Sequence, residues 1–207
     1  MGGIFFGDVM SSFFDAVKNR RSIYTISDKS TISDEKIIQI LRDSLLNTPS
    51  SFNSQSSRLA VFFGKDNKKV WDTVKDVLRA KVPADRFSQT EERINLFSAG
   101  YGTVLYFEDM SVVAELQNKF PSYKDNFPVW SAQSSGILQY IVWTALSAEG
   151  LGATLQHYNP IIDESLNNEF AFPKSWKLMA QMPFGLPVGE AAPKDSLPID
   201  DRLLIFK

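Results

Sequence analysis

The stretch VWSAQSSGILQYIVWTALSAEGLG, residues 129–152, decides the fold. Ile137, Leu138, Ile141, Val142, Ala145 and Leu146 recur at helical spacing, and Trp143 carries the apolar surface further around the circumference. A helix apolar on several sides must be covered on several sides, which predicts a central helix or one at a subunit interface. Gly150-Leu151-Gly152 ends it with the residue type that helix C-termini use. Outward toward the N-terminus, 111–120 reads as a helix and 122–128 as an irregular aromatic stretch. The compact apolar runs 103–107 and 59–63 read as strands, and 66–81 and 91–98 as helices between them. Ser33, followed by Asp34 and Glu35, caps an amphipathic helix through Ile37, Ile38, Leu41 and Leu45 that must stop before Pro49. Ser12 reads as the N-cap of a first helix through Phe13, Phe14 and Val17, ending near Arg20. Toward the C-terminus, 176–182 reads as a strand and 203–206 as a short last one. Helices outnumber strands and do not alternate regularly with them, so the class is α+β, a sheet flanked by helices.

Composition removes several chemistries. The 207 residues, 43% hydrophobic, suffice for one domain with a substantial core, taken as 1–207 with residues 1–10 a flexible extension. There is no Cys, which excludes disulfides, zinc-thiolate sites and cysteine nucleophiles, and the single His, His157, cannot build a multi-histidine metal site. A net charge of −2 without any basic stripe argues against nucleic acid as partner. Residues 1–10 lack the basic n-region of a signal peptide, Phe6 breaks the myristoylation pattern, and no apolar run reaches membrane-span length. The expectation is a soluble cytoplasmic protein that does not bind membranes. Sixteen Phe residues suit a partner interface or a flat ligand.

Three segments carry the chemistry: Arg20-Arg21-Ser22, the polar run from Pro49 to Gln55, and Glu149-Gly150-Leu151-Gly152-Ala153. Alone, each has a plain structural reading: a solvated basic pair, a loop, a helix C-cap. Their combination and order, from Phe13 to Phe206, resemble the nitroreductase family. The strings NFPVW (126–130) and GLGATLQHYNP (150–160) are similar to the subgroup of yeast fatty-acid-repression and bacterial copper-inducible nitroreductases. The resemblance implies a three-layer fold with a central mixed or antiparallel sheet flanked by helices. It also implies a homodimer with FMN at the interface.

In that reading Arg20, Arg21 and Ser22 match the phosphate and ribityl site, which suits the bidentate geometry of Arg. Asn53 and Gln55 match the loop that bonds the ribityl chain or flavin edge, where an amide both donates and accepts. Gly150, Leu151 and Gly152 match the segment whose backbone nears the flavin, where Gly removes the obstacle of a Cβ. Many members place a Lys and an Arg two apart before the last strand. Here Lys194 is kept, Ser196 stands at the Arg position, and Arg202 is the substitute candidate. His157 has two readings, a structural His bonding backbone near Pro160 or a proton donor beside the flavin. Phe52, Phe127, Tyr101 and Trp130 are candidates for an aromatic wall, or ordinary core. There is no nucleophile elbow, P-loop or dinucleotide fingerprint. The resemblance implies a transient NADH or NADPH donor and ping-pong reduction of nitroaromatic, quinone or related acceptors. The alternative is a flavin-binding sensor of fatty-acid or stress responses with little turnover.

Overall fold

The structure, a computed structural model, describes residues 6–207. Residues 1–5, half of the expected extension, lie outside the described residues. Residues 6–10 lie in the first helix, α1 (Phe6–Asn19). Ser12 is therefore inside the helix rather than its cap. The reason is visible in the spacing: Phe6, Val9 and Met10 continue the helical period of Phe13, Phe14 and Val17.

The remaining elements are β1 (Ile26–Ser27), α2 (Asp34–Asn47), β2 (Ser57–Phe63), α3 (Gly64–Arg79), α4 (Phe87–Ser98), β3 (Gly102–Asp109), α5 (Met110–Lys119), α6 (Phe127–Ala148), β4 (Gly152–Ala153), α7 (Asp163–Phe170) and β5 (Trp176–Pro187). The Ser33 hydroxyl caps α2 by accepting from the Lys36 amide at 3.3 Å. The strands pair antiparallel in the order β1-β5-β3-β2, with β4 also on β5.

Every residue of β3 is buried, because both faces of this central strand are covered. Val104 and Tyr106 face one layer with Ile37 and Leu41 of α2 and Leu138, Val142 and Leu146 of α6. Leu105 and Phe107 face the other, with Val70, Trp71 and Val74 of α3, Ile94 and Phe97 of α4 and Leu166 of α7. A bulge adjusts β5: Tyr106 faces Ala180 but Phe107 faces Leu178, leaving Met179 as the extra residue. The bulge sends Leu178 to the α3 side while Ala180 and Met182 serve the α6 side.

Residues 203–206 form no strand. Among the described residues no strand lies beside them, and an extended run pairs only where a partner does. Leu203, Leu204, Ile205 and Phe206 are all exposed, Phe206 by 91%. Helix α6 buries one face in the core and leaves Val129, Ile137 and Tyr140 exposed on the other.

Candidate functional site

The two ends of α6 carry different chemistry. At the C-terminal end, the chain after α1 runs beside β4: Ser22 bridges Ala153, and the Ile23 amide donates to the Ala153 carbonyl at 3.0 Å. The indole N–H of Trp143 donates to the same carbonyl at 3.1 Å. The Arg20 guanidinium lies over the Trp143 ring, 4.2 Å from its centroid. Its Nε is buried and, among the described residues, has no hydrogen-bond partner. A buried Arg donor without a partner calls for one, and an anion suits its charge. Arg21 donates through Nη2 to the Ala192 carbonyl, which holds the start of the C-terminal segment against this end. The first and third sequence segments are thus brought together.

Gly150 leaves α6 with φ +81°, the left-handed conformation that favours glycine. Thr31 steadies the preceding turn, its hydroxyl donating to the Glu149 carbonyl at 2.6 Å. Leu151 is buried in the core. A Cβ on Gly152 would stand 3.0 Å from the Ile23 side chain and 3.1 Å from the Pro187 ring, so a larger residue here would require both to give way by a few tenths of an ångström.

The second segment lies at the other end of α6. Ser51–Asn53 forms a single 3-10 turn, and Phe52, Asn53 and Gln55 have φ values of 56°, 52° and 49°. Three non-glycine residues in the left-handed region store on the order of 1 kcal/mol or more each. The Ser50 hydroxyl accepts from the Gln55 amide at 2.9 Å and the Ser50 carbonyl from the Asn53 amide at 3.0 Å. Phe52 anchors the turn among Phe120, Phe127 and Trp130, at centroid distances of 4.9, 5.4 and 6.2 Å. The Asn53 and Gln55 side chains are exposed. Beside them opens a cavity of about 450 Å³ lined in part by Ser50, Gln55, Arg42, Arg58 and Trp176. Arg58 is engaged with Asp109 at 3.1 Å. Burial alone would raise the Asp109 carboxyl. The hydroxyls of Ser111 and Ser175, the Ser111 amide and Arg58 outweigh it and hold the group below its ordinary value.

Of the candidate aromatic wall, Phe52, Phe127 and Trp130 gather here. Tyr101 does not. It sits beyond the opposite end of β3 against Phe63 and Phe184, with its hydroxyl donating to Asp34. That bond, then burial and the charges of Asp34 and Glu35, raise its pKa. His157 is exposed and, among the described residues, nothing hydrogen-bonds its ring. Lys194 and Arg202 are exposed on the C-terminal segment, Arg202 donating to the Leu197 carbonyl at 3.3 Å.

Helix α6 has 22 residues, which makes it about 33 Å long. A single chain therefore holds Arg20, Arg21, Ser22, Gly150 and Gly152 at one end and Asn53 and Gln55 at the other. Two residues escaped the sequence reading: Trp143 as the platform under Arg20, and Glu108, a buried acid behind the loop. The only sequence signal for Glu108 was an acid closing an apolar strand.

Residues 17–186 match the model of the Nitroreductase family. The chain belongs to the nitroreductase family. The nitroreductase CinD from Lactococcus lactis, in structures with chloramphenicol and with 4-nitrophenol, is 41% identical, with a TM-score of 0.86 over 94% of this chain and 100% of that one. Two Saccharomyces cerevisiae proteins are also similar. The nitroreductase FRM2 is 29% identical over 197 residues, 94% of this chain and 97% of the relative. The putative nitroreductase HBN1 is 31% identical over 199 residues, 95% and 98% respectively. These are the yeast and bacterial relatives to which the strings at 126–130 and 150–160 pointed. As a nitroreductase, the protein is an oxidoreductase of a flavin-dependent type. Among its described residues no helix is long and apolar enough to cross a membrane.

Proposed function

We propose that this nitroreductase binds FMN between two copies of the chain and reduces nitroaromatic, quinone or related acceptors in the cytoplasm by a ping-pong reaction with NADH or NADPH. When bound, FMN supplies the hydride carrier that links the two half-reactions. The observation that carries the reading is the buried, unpartnered Nε of Arg20, stacked on Trp143 beside the Ser22–Ala153 bridge. Arg20, Arg21 and Ser22 hold the phosphate there, with Lys194 and Arg202 brought in by the C-terminal segment. Gly150, Leu151 and Gly152 offer backbone that a planar ring can approach. Asn53 and Gln55, whose amides face solvent, bond the ribityl chain or ring edge from the partner copy. His157, exposed and free of other bonds among the described residues, is the candidate to deliver a proton to the reduced acceptor.

The dimer is supported by what one chain leaves open. Val129, Ile137 and Tyr140 form an exposed apolar face on α6, and Leu203, Leu204, Ile205 and Phe206 are apolar and exposed at the C-terminus. The acceptor class is supported by the nitro compounds bound to CinD, chloramphenicol and 4-nitrophenol.

The visible spectrum of the purified protein tests the proposal. Flavin bands should be present, bleach under anaerobic NADH or NADPH, and return when 4-nitrophenol or a quinone is added. A colourless protein that FMN cannot reconstitute overturns the reading. Flavin bands that persist with both donors turn it into a sensor.

A further inference from the structure

Behind the loop that carries Asn53 and Gln55 lies an acid to which no role has so far been assigned. Glu108, next to last in β3, is 1% exposed. Three hydroxyls donate to its carboxylate: Ser57 to Oε1 at 2.5 Å, and Ser56 and Ser131 to Oε2 at 2.5 and 2.6 Å. Among the described residues no Lys or Arg pairs with it; the nearby Arg58 is spent on Asp109. A buried acid with only neutral partners is an expensive way to fill a core, and an apolar residue of similar volume would fill it more cheaply. The arrangement of the donors gives it a use. Ser56 and Ser57 directly follow Gln55, and Ser131 belongs to the first turns of α6. The carboxylate therefore ties the base of the loop to the helix it packs on. The loop itself is strained at Phe52, Asn53 and Gln55, and strained backbone persists only where its surroundings over-determine it.

We infer that Glu108 is a positioning residue for the cofactor loop: it clamps Ser56 and Ser57 against Ser131 and so holds Asn53 and Gln55 in the conformation in which they meet FMN. The inference rests on the proposal that these two amides contact the cofactor. A glutamine at 108 keeps the volume but replaces one accepting oxygen with a donor. At least one hydroxyl must then turn round or lose its partner.

The test is a double-mutant cycle on the full-length protein. FMN dissociation constants are read from quenching of flavin fluorescence for the parent, Glu108→Gln, the pair Asn53→Ala/Gln55→Ala, and all three changes together. Hydrogen exchange of the 50–57 amides is followed in each. Glu108→Gln should weaken FMN about tenfold, the size of one lost charge-assisted bond. It should add less than about twofold once Asn53 and Gln55 are gone, because the two effects share one route. Exchange should speed up in 50–57 and stay unchanged in α3. The same loss of affinity in both backgrounds, or faster exchange throughout the chain, overturns the inference in favour of a general structural role. No loss for Glu108→Gln while the loop pair weakens FMN overturns the inference alone. No loss for the loop pair overturns the reading of the loop, and the inference with it. Should Glu108→Gln not fold, Ser57→Ala, which cuts one tie and leaves the acid in place, takes its position in the cycle with the same outcomes.

Discussion

Arg20 has its charge in place before any ligand arrives. Its guanidinium rests on Trp143, and the indole is fixed in turn by its bond to the Ala153 carbonyl. Arg20→Ala should raise the FMN dissociation constant about 10–100-fold, as expected for losing one or two bonds to a charged partner. Arg20→Lys should recover little of this, since an ammonium lacks the planar fork that lies on the ring. Flavin fluorescence titration measures both. Asp109 gives a pH-dependent expectation. Its folded value lies below the ordinary one, so its contribution to stability is present above the unfolded value and is lost as pH falls through the folded one. Asp109→Asn should lower Tm at pH 7, and the gap to the parent should close below about pH 4. At this scale the sequence named Arg20 and Gly150 because they stand in short, ordered motifs. It did not name Trp143 as a platform or Glu108 as a clamp, since both roles depend on which distant residue arrives beside them. Tyr101 shows the same limit: its ring chemistry fitted a ligand wall, but its place at the opening of β3 put it at the far end of the sheet.

The elements were legible wherever periodicity and caps agreed. Ser33 starts α2 as its pattern requires, and the apolar runs at 59–63 and 103–107 lie within β2 and β3. Two-residue strands such as β1 and β4 leave no periodic trace, and α7 is too short and polar to show one. Residues 203–206 had the composition of a strand without the neighbour that makes one. Gly185 is another feature that no pattern shows. It faces Gly152 across the ladder, and a Cβ there would collide with the Ser27 carbonyl oxygen of β1. Gly185→Ala should force β1 away from β5 and cost about 1–3 kcal/mol, the range for overpacking. That corresponds to a fall in Tm of several degrees in a thermal melt. Because Arg20–Ser22 is held beside β4, FMN binding should weaken with it.

For the whole molecule, the exposed face of α6 is the feature that most needs company. Ile137→Asp should turn the proposed dimer into a monomer by light scattering, and flavin should be lost with it. A dimer that survives the change would place the interface elsewhere. The fold class came from the sequence because α6 and the three longer strands dominate it. The completeness of the site did not, because no linear pattern reports that one motif ends up against Trp143 and another against Trp130, about 20 Å apart along one helix. That separation has a genetic consequence. In the proposed dimer, Arg20→Ala damages one half of a cofactor seat, and Asn53→Ala/Gln55→Ala damages the other half, contributed by the other copy. When the two defective genes are expressed together, each mixed pair assembles one seat that inherits both lesions and one that inherits neither. Two proteins that are colourless apart should therefore yield a yellow fraction when made in the same cell.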